Sequence, residues 1–594
     1  MNIIVGAYSH ITHGSSNEEY SQLLDRQLRP LLTLAFSNPD FRFVLRLGIP
    51  FIQWLETNHP EINMLIADLC RNNRLEMLSS SFSDCILPLE PAHERSAHIE
   101  KTNTYLRKRF NKRPRGLWCM EQVFSPGIIQ IMDLSSLDYI ILSSFNQNLN
   151  QTLVRKPFRM EELGKTTVIL PSDDRFSREV AECGKEGCTA QTLNSAFEKL
   201  LDTLSGNEVI MLNMDQLLSC DGSSAIYRTI IEKTADKTVL PYDFISDREI
   251  SSMYYIPSGI YGRDFNIEKS VTLNQYILNN PLLNRMHRCI NLMRDCSKSL
   301  KKNSDNRKLI EYLLMNASTG MIYIPEVCLN PEIRHRTDAA LSEIEKVLRD
   351  EDMLPATADL DGDLFPEFIT GNKFYSVYLN TKGAVVSRLN VFSIKSDVAL
   401  NQGQGFFRDT IRNGKTYDLS VRRWEMTPVD KKRQDFFAKS PLIEVNKSVI
   451  NITKHFKTRQ NSITVDYDVE NMGKTTLKDL VFETVLNLSI PGSDSFTDMD
   501  GSIIDEKGRT SDRICISNRI NGLYFELVAN SDFLISTRNV FADAVTPLGV
   551  VKQYQYTQIK IQKNIILPGS EAFKCSFTLK AEKRRGRQEK QNDT

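Results

Sequence analysis

The chain lacks any stretch of about 18 consecutive apolar residues, the least that a membrane-spanning helix requires. It also lacks an excess of charge of either sign. Lys plus Arg and Asp plus Glu stand at 74 each, so no global field draws the protein to nucleic acid or to an anionic membrane, and neutral partners are expected. Cysteine is sparse for a secreted scaffold: the eleven are odd in number and mostly isolated, a pattern of reduced thiols in a reducing compartment. Cys183 and Cys188 have no second pair to complete a zinc site. Neither a phosphate-cradling glycine loop nor a basic groove with interleaved aromatics occurs, and the basic run from Arg107 to Arg115 reads as a solvated connection. The opening Met1-Asn2-Ile3-Ile4-Val5 has no basic segment before its apolar residues, so no signal peptide is expected and the predicted location is cytoplasmic.

What is present is an ordinary globular composition, 41% hydrophobic and 25% charged, over 594 residues, too long for one core. From residue 1 to 265 short apolar runs alternate with helical patterns: Asn2 to Tyr8, Phe41 to Leu47, Leu75 to Leu78, Gly116 to Met120, Tyr139 to Leu142, Thr166 to Leu170, Val209 to Leu212 and Met253 to Ile256. Continuous apolar runs mark strands buried on both faces, and βα alternation predicts a parallel sheet. With seven or eight such units a closed (β/α) barrel is favoured over an open sheet. Residues 266–354 turn helical, with helices expected over Ile267 to Lys302, Asp305 to Asn316 and Pro331 to Arg349. From 355 to 581 alternating strands and turn signals predict a β-sandwich, and 582–594 read as a disordered tail. Asp359-Leu360-Asp361-Gly362-Asp363 lacks the spacing and terminal glutamate of an EF-hand and is expected to be a turn.

The chemistry is expected where the barrel strands end. The apolar run from Gly116 closes on Glu121, followed by Phe124, Pro126 and a helical pattern from Gly127 to Met132. A strand delivering an acid to its C-terminal end has the address of a reacting group, although a carboxylate there also serves as a helix cap. His10, Asp84, Ser143, Ser144 and Asp215 follow other strand runs, and a barrel would gather all of them at one mouth. Each keeps a plainer reading: His10 as a histidine bonded to a neighbouring strand, Asp84 as a turn or cap. His10 and His13 are spaced like metal ligands, but no third ligand follows, so no metal is expected.

With these segments placed, the chain resembles glycoside hydrolase family 57, in its 4-α-glucanotransferase and α-amylase branch. Trp118-Cys119-Met120-Glu121 with Phe124 and Pro126 is similar to the family's nucleophile segment, and Val209 to Asp215 resembles the strand ending in its general acid. Ser9-His10-Ile11 keeps only the histidine of the first motif, Ser83-Asp84-Cys85 stands where a Tyr-Glu-Pro is usual, and Asp215 lacks the glutamate that normally follows two residues on. The fifth segment is reduced to Gly259 through Asp264. The resemblance implies an α/β fold with a seven-stranded (β/α) barrel, a helical domain and a C-terminal β-sandwich. It implies a retaining enzyme on α-glucans or maltooligosaccharides with Glu121 as nucleophile and Asp215 as acid/base, without metal or cofactor. His10 and Asp84 would bond sugar hydroxyls, and Trp118, Phe124 or Tyr261 would stack on a sugar ring, with ordinary packing the alternative for the aromatics. Such chemistry needs two carboxyl groups about 5–5.5 Å apart. Leu212, Met214, Leu217 and Leu218 would surround Asp215 with apolar surface and keep it protonated. A homodimer is a further implication. The alternative is a degenerate member that binds carbohydrate or protein without turnover.

Overall fold

The computed structural model describes all residues except 1, 11–16, 144–155, 174, 178, 181–188, 205, 219, 221, 261–272, 320–330, 400–404, 431–433, 492–506, 547–548 and 585–594. The chain divides into two compact units, one made of 1–277 with 545–551 and the other of 278–544 with 552–594. His13, Ser144, Cys183, Cys188, Tyr261 and most of the expected tail lie outside the described residues.

The first unit is built on β1 (Ile4–Tyr8), β2 (Phe43–Arg46), β3 (Leu75–Met77), β4 (Gly116–Trp118), β5 (Val123–Phe124), β6 (Tyr139–Ser143), β7 (Phe158–Glu162), β8 (Lys165–Ser172), β9 (Val209–Asn213) and β10 (Gly259–Ile260). Seven parallel strands run in the order β3-β2-β1-β9-β8-β6-β4, with β7 antiparallel on β8. A single bridge, Ser79 to Leu117, closes the ring between the β3 and β4 ends. This is the expected nearly closed barrel of seven βα units, and β1, β2, β6 and β9 are almost wholly buried as both-face packing requires. Inside it Gly6 on β1 is compulsory, because a Cβ there would lie 2.4 Å from Val44 and 2.5 Å from the sulfur of Met211.

The eighth apolar run, Met253 to Ile256, is not a barrel strand. Met253, Tyr254 and Tyr255 are exposed and only Ile256 is buried, so the segment lacks the two packed faces of a barrel strand, and Met253 makes one bridge to Arg159. The helical stretch after β1 is interrupted: helices Asn17–Leu23 and Arg29–Ser37 flank a π-helical turn over Leu24–Leu28.

The second unit carries helices Pro281–Ser297, Asp305–Thr319 and Pro331–Asp350, then antiparallel strands through Ala572–Lys583 around one apolar core. Buried charge lies within it. Arg388 is 3.5 Å from Glu345 and 3.3 Å from Asp397, while Tyr378 and Asn390 each donate to Glu345 at 2.7 Å. Lys454 pairs with Asp409 at 2.7 Å and donates to the carbonyls of Gly383, Ala384 and Phe407. The Asp359 to Asp363 segment caps its own turn, with Asp359 accepting from Gly362 and Asp361 from Asp363.

Candidate active site

Parallel strands place the residues after β1, β2, β3, β4 and β9 on one rim, and three of the expected residues, His10, Glu121 and Asp215, meet there. Asp215 stands in the first turn of a short helix, Met214–Leu217, capped by Asn213, whose side-chain oxygen accepts from the backbone N–H groups of Asp215 and Gln216. The register Tyr8 to Asn213 between β1 and β9 then sets Ser9 and His10 beside the carboxylate. Ser9 Oγ donates to Asp215 Oδ1 at 2.6 Å and the His10 backbone N–H to Oδ2 at 2.5 Å. The His10 ring reaches the other way, with Nδ1 3.1 Å from Glu121 Oε1, and Trp118 Nε1 donates to its Nε2 at 3.1 Å. One residue thus bridges the two candidate carboxylates.

Glu121 is held there by an unusual backbone. It and Gln122 adopt consecutive left-handed conformations, φ 50° and 54°, just after β4. A single non-glycine residue in this region costs about 1–2 kcal/mol, so the surroundings must fix it. They do so through Gln122, a buried side chain that accepts from the Ser143 backbone at the end of β6 at 2.7 Å, and through β5, which pairs with β10. The Glu121 and His10 side chains keep 16% and 12% of their surface exposed, and so remain accessible at the rim.

The other expected residues face protein. Asp84 is fully buried, bonded to a fully buried Arg46 that also donates to the Ser9 carbonyl and, at 3.4 Å, to Ser80 Oγ. Trp118 is enclosed and packs on Tyr8 with ring centroids 4.3 Å apart. Phe124 lies wholly inside an apolar cluster with Leu117, Ile128 and Ile140. Burial pushes the carboxyl of Asp215 above its ordinary value, against the opposing pull of His10 and the bond from Ser9. Asp84 is raised by the same cause, opposed by Arg46 and His10. Three residues of this arrangement carry no sequence expectation: Ser9, Arg46 and Gln122. Arg46 had a signal, a full charge inside the otherwise apolar stretch Phe43 to Leu47.

Comparison with known proteins bears out the resemblance. Residues 5–216 match the model of glycosyl hydrolase family 57. The matched residues include Glu121 and Asp215. Alpha-amylase 1 of Dictyoglomus thermophilum is 25% identical over 170 residues, which are 28% of this chain and 25% of that one. The 4-alpha-glucanotransferase of Thermococcus litoralis is 22% identical over 179 residues, 30% of this chain and 27% of that one. The matched stretches thus span about a quarter of the length of these curated relatives. In fold the likeness is wider. The crystal structure of the Thermococcus litoralis 4-alpha-glucanotransferase superposes with a TM-score of 0.76 at 14% identity, covering 98% of this chain and 99% of that one.

Proposed function

We propose that the protein is a retaining α-glucan-active enzyme, of 4-α-glucanotransferase or α-amylase type, with Glu121 as nucleophile and Asp215 as acid/base. The observation that carries this reading is the bridge made by His10, which draws the two carboxylates to opposite ends of one residue at the barrel rim. Glu121 attacks the anomeric carbon as Asp215 gives its proton to the departing oxygen. Water or a sugar hydroxyl then opens the glycosyl ester, with Asp215 taking the proton back. The raised value of Asp215 suits a group that must hold a proton before the first step. A cytoplasmic location and a homodimer belong to the same proposal, and eight free cysteines among the described residues agree with a reducing compartment.

A second reading, a degenerate member that binds carbohydrate or protein without turnover, draws on the burial of Asp84, Trp118 and Phe124, which takes three expected sugar contacts out of reach. Incubation with maltooligosaccharides separates the two. Redistributed chain lengths indicate transfer and shorter products alone indicate hydrolysis. Either should fall by about 10³-fold or more in Glu121→Gln, as expected when a covalent nucleophile is removed. Oligosaccharide binding without product, in the native protein, would overturn the enzyme reading.

A further inference from the structure

We propose that Trp118 is a positioning residue that fixes the tautomer of His10, so that a neutral imidazole donates its Nδ1–H to Glu121. The proposal rests on the reading of Glu121 as the nucleophile, but the tautomer itself is open to direct measurement.

The indole Nε1 carries a hydrogen and has no lone pair to offer, so it is a donor only. It lies 3.1 Å from His10 Nε2, which must therefore present its lone pair. The single imidazole proton is left on Nδ1, 3.1 Å from Glu121 Oε1. In the opposite tautomer two N–H groups would meet at Nε2 and two lone pairs at the carboxylate. Trp118 is itself firmly held: it is 1% exposed, hydrogen-bonded in β4 through its backbone, and packed against Tyr8, whose ring also lies 5.0 Å from His10.

Titratable groups stand close by: Glu121 meets the ring at Nδ1, Asp215 accepts from the His10 backbone N–H, and Arg46, paired with Asp84, holds the Ser9 carbonyl. The indole N–H is aimed at Nε2, the nitrogen that a second ring proton would occupy. The consequence for the reaction is specific. A neutral donor orients the nucleophile with one hydrogen bond, without the full positive charge that would blunt its attack. As the carboxylate–carbon bond forms and the glycosidic bond breaks, the proton transferred is that of Asp215, and His10 keeps its own throughout.

The test is imidazole ¹⁵N NMR on the full chain, with the His10 signals identified by their loss in His10→Gln. Near neutral pH the native protein should show a protonated Nδ1 and a bare Nε2. Trp118→Phe removes the donor, and benzothienylalanine at position 118 removes it while keeping the bicyclic shape should the smaller ring impair folding. Either change should bring in the other tautomer or the doubly protonated ring and lower kcat about tenfold, with KM held within about a factor of two. A protonated Nε2 in the native protein, or a tautomer unmoved by both replacements, would overturn the proposal. So would a raised KM at constant kcat, the mark of a residue that stacks on sugar. If the native protein turns over no α-glucan while its tautomer is as described, the functional reading fails and the assignment of Trp118 stands.

Discussion

Arg46 carries a full charge where no water reaches, and its neighbours are what make that tolerable. Its guanidinium is divided among the Ser9 carbonyl, Ser80 Oγ and the buried Asp84, whose second oxygen has no hydrogen-bond partner among the described residues. A buried pair contributes little net stability, but breaking it strands the remaining charge at a cost of about 3–5 kcal/mol. Arg46→Met should therefore lower unfolding free energy in urea by about that amount, and adding Asp84→Asn should recover a large part of it. Equal losses in the single and double variants would show that Asp84 does not depend on Arg46. Because Arg46 also holds the Ser9 carbonyl, the single variant should loosen the Ser9 bond to Asp215.

At the scale of elements, the barrel is sealed by a few polar contacts where β3 meets β4. The Ser79 backbone exchanges hydrogen bonds of 2.8 Å with Gly116 and Trp118, and nearer the strand starts Tyr139 crosses from β6 to donate to Glu76 on β3 at 2.6 Å. The ring passes over Gly116, where a Cβ would lie 2.2 Å from it, so the glycine makes room for the crossing. Burial pushes the Glu76 carboxyl up to about 7 from its ordinary 4.5, despite the bond from Tyr139. A carboxyl raised by folding stabilises most when protonated, and that stability is lost as pH rises from its unfolded value to its folded one. Glu76→Gln should thus be near neutral at pH ~4 and stabilise by about 2–3 kcal/mol at pH ~8, read from urea midpoints. Greater stabilisation at the acid end would refute this account of the seam.

The same elements show what a sequence reader could see. The seven barrel strands announced themselves as apolar runs, and strand ends located His10, Glu121 and Asp215, because parallel topology sends every such end to one rim. Met253 to Ile256 looked alike in composition but is exposed on three of four residues, a fact only tertiary packing decides. The paired left-handed residues Glu121 and Gln122 left no trace, since neither is glycine and their strain is offset by distant partners such as Ser143. Trp118 and Phe124 were visible as aromatics near an acid, yet which way each faces depends on Tyr8 and on an apolar cluster assembled from remote segments.

For the whole molecule, the balance of shifted groups sets how stability follows pH. Glu76, Asp338 and Glu367 all stand at about 7 in the folded protein, each raised first by burial. Asp84, Asp215, Asp397 and Asp409 are raised too, for the same leading cause. Each binds more proton folded than unfolded between its ordinary value and its raised one, so stability should fall as pH rises through that interval. Opposition comes from His335, whose value burial lowers from 6.5 and which therefore favours folding as pH rises to that point, and from lowered carboxyls such as Asp435, which act only at more acid pH. Among the described residues, one histidine against three carboxyls near 7 leaves the sign negative. Unfolding free energy should drop by several kcal/mol between pH ~5 and ~7.5, and Glu76→Gln combined with Glu367→Gln should flatten that slope. A native protein that grows steadily more stable over the same range would show that these carboxyls are ionised at little cost, with Arg285 beside Glu367 compensating more than burial takes away.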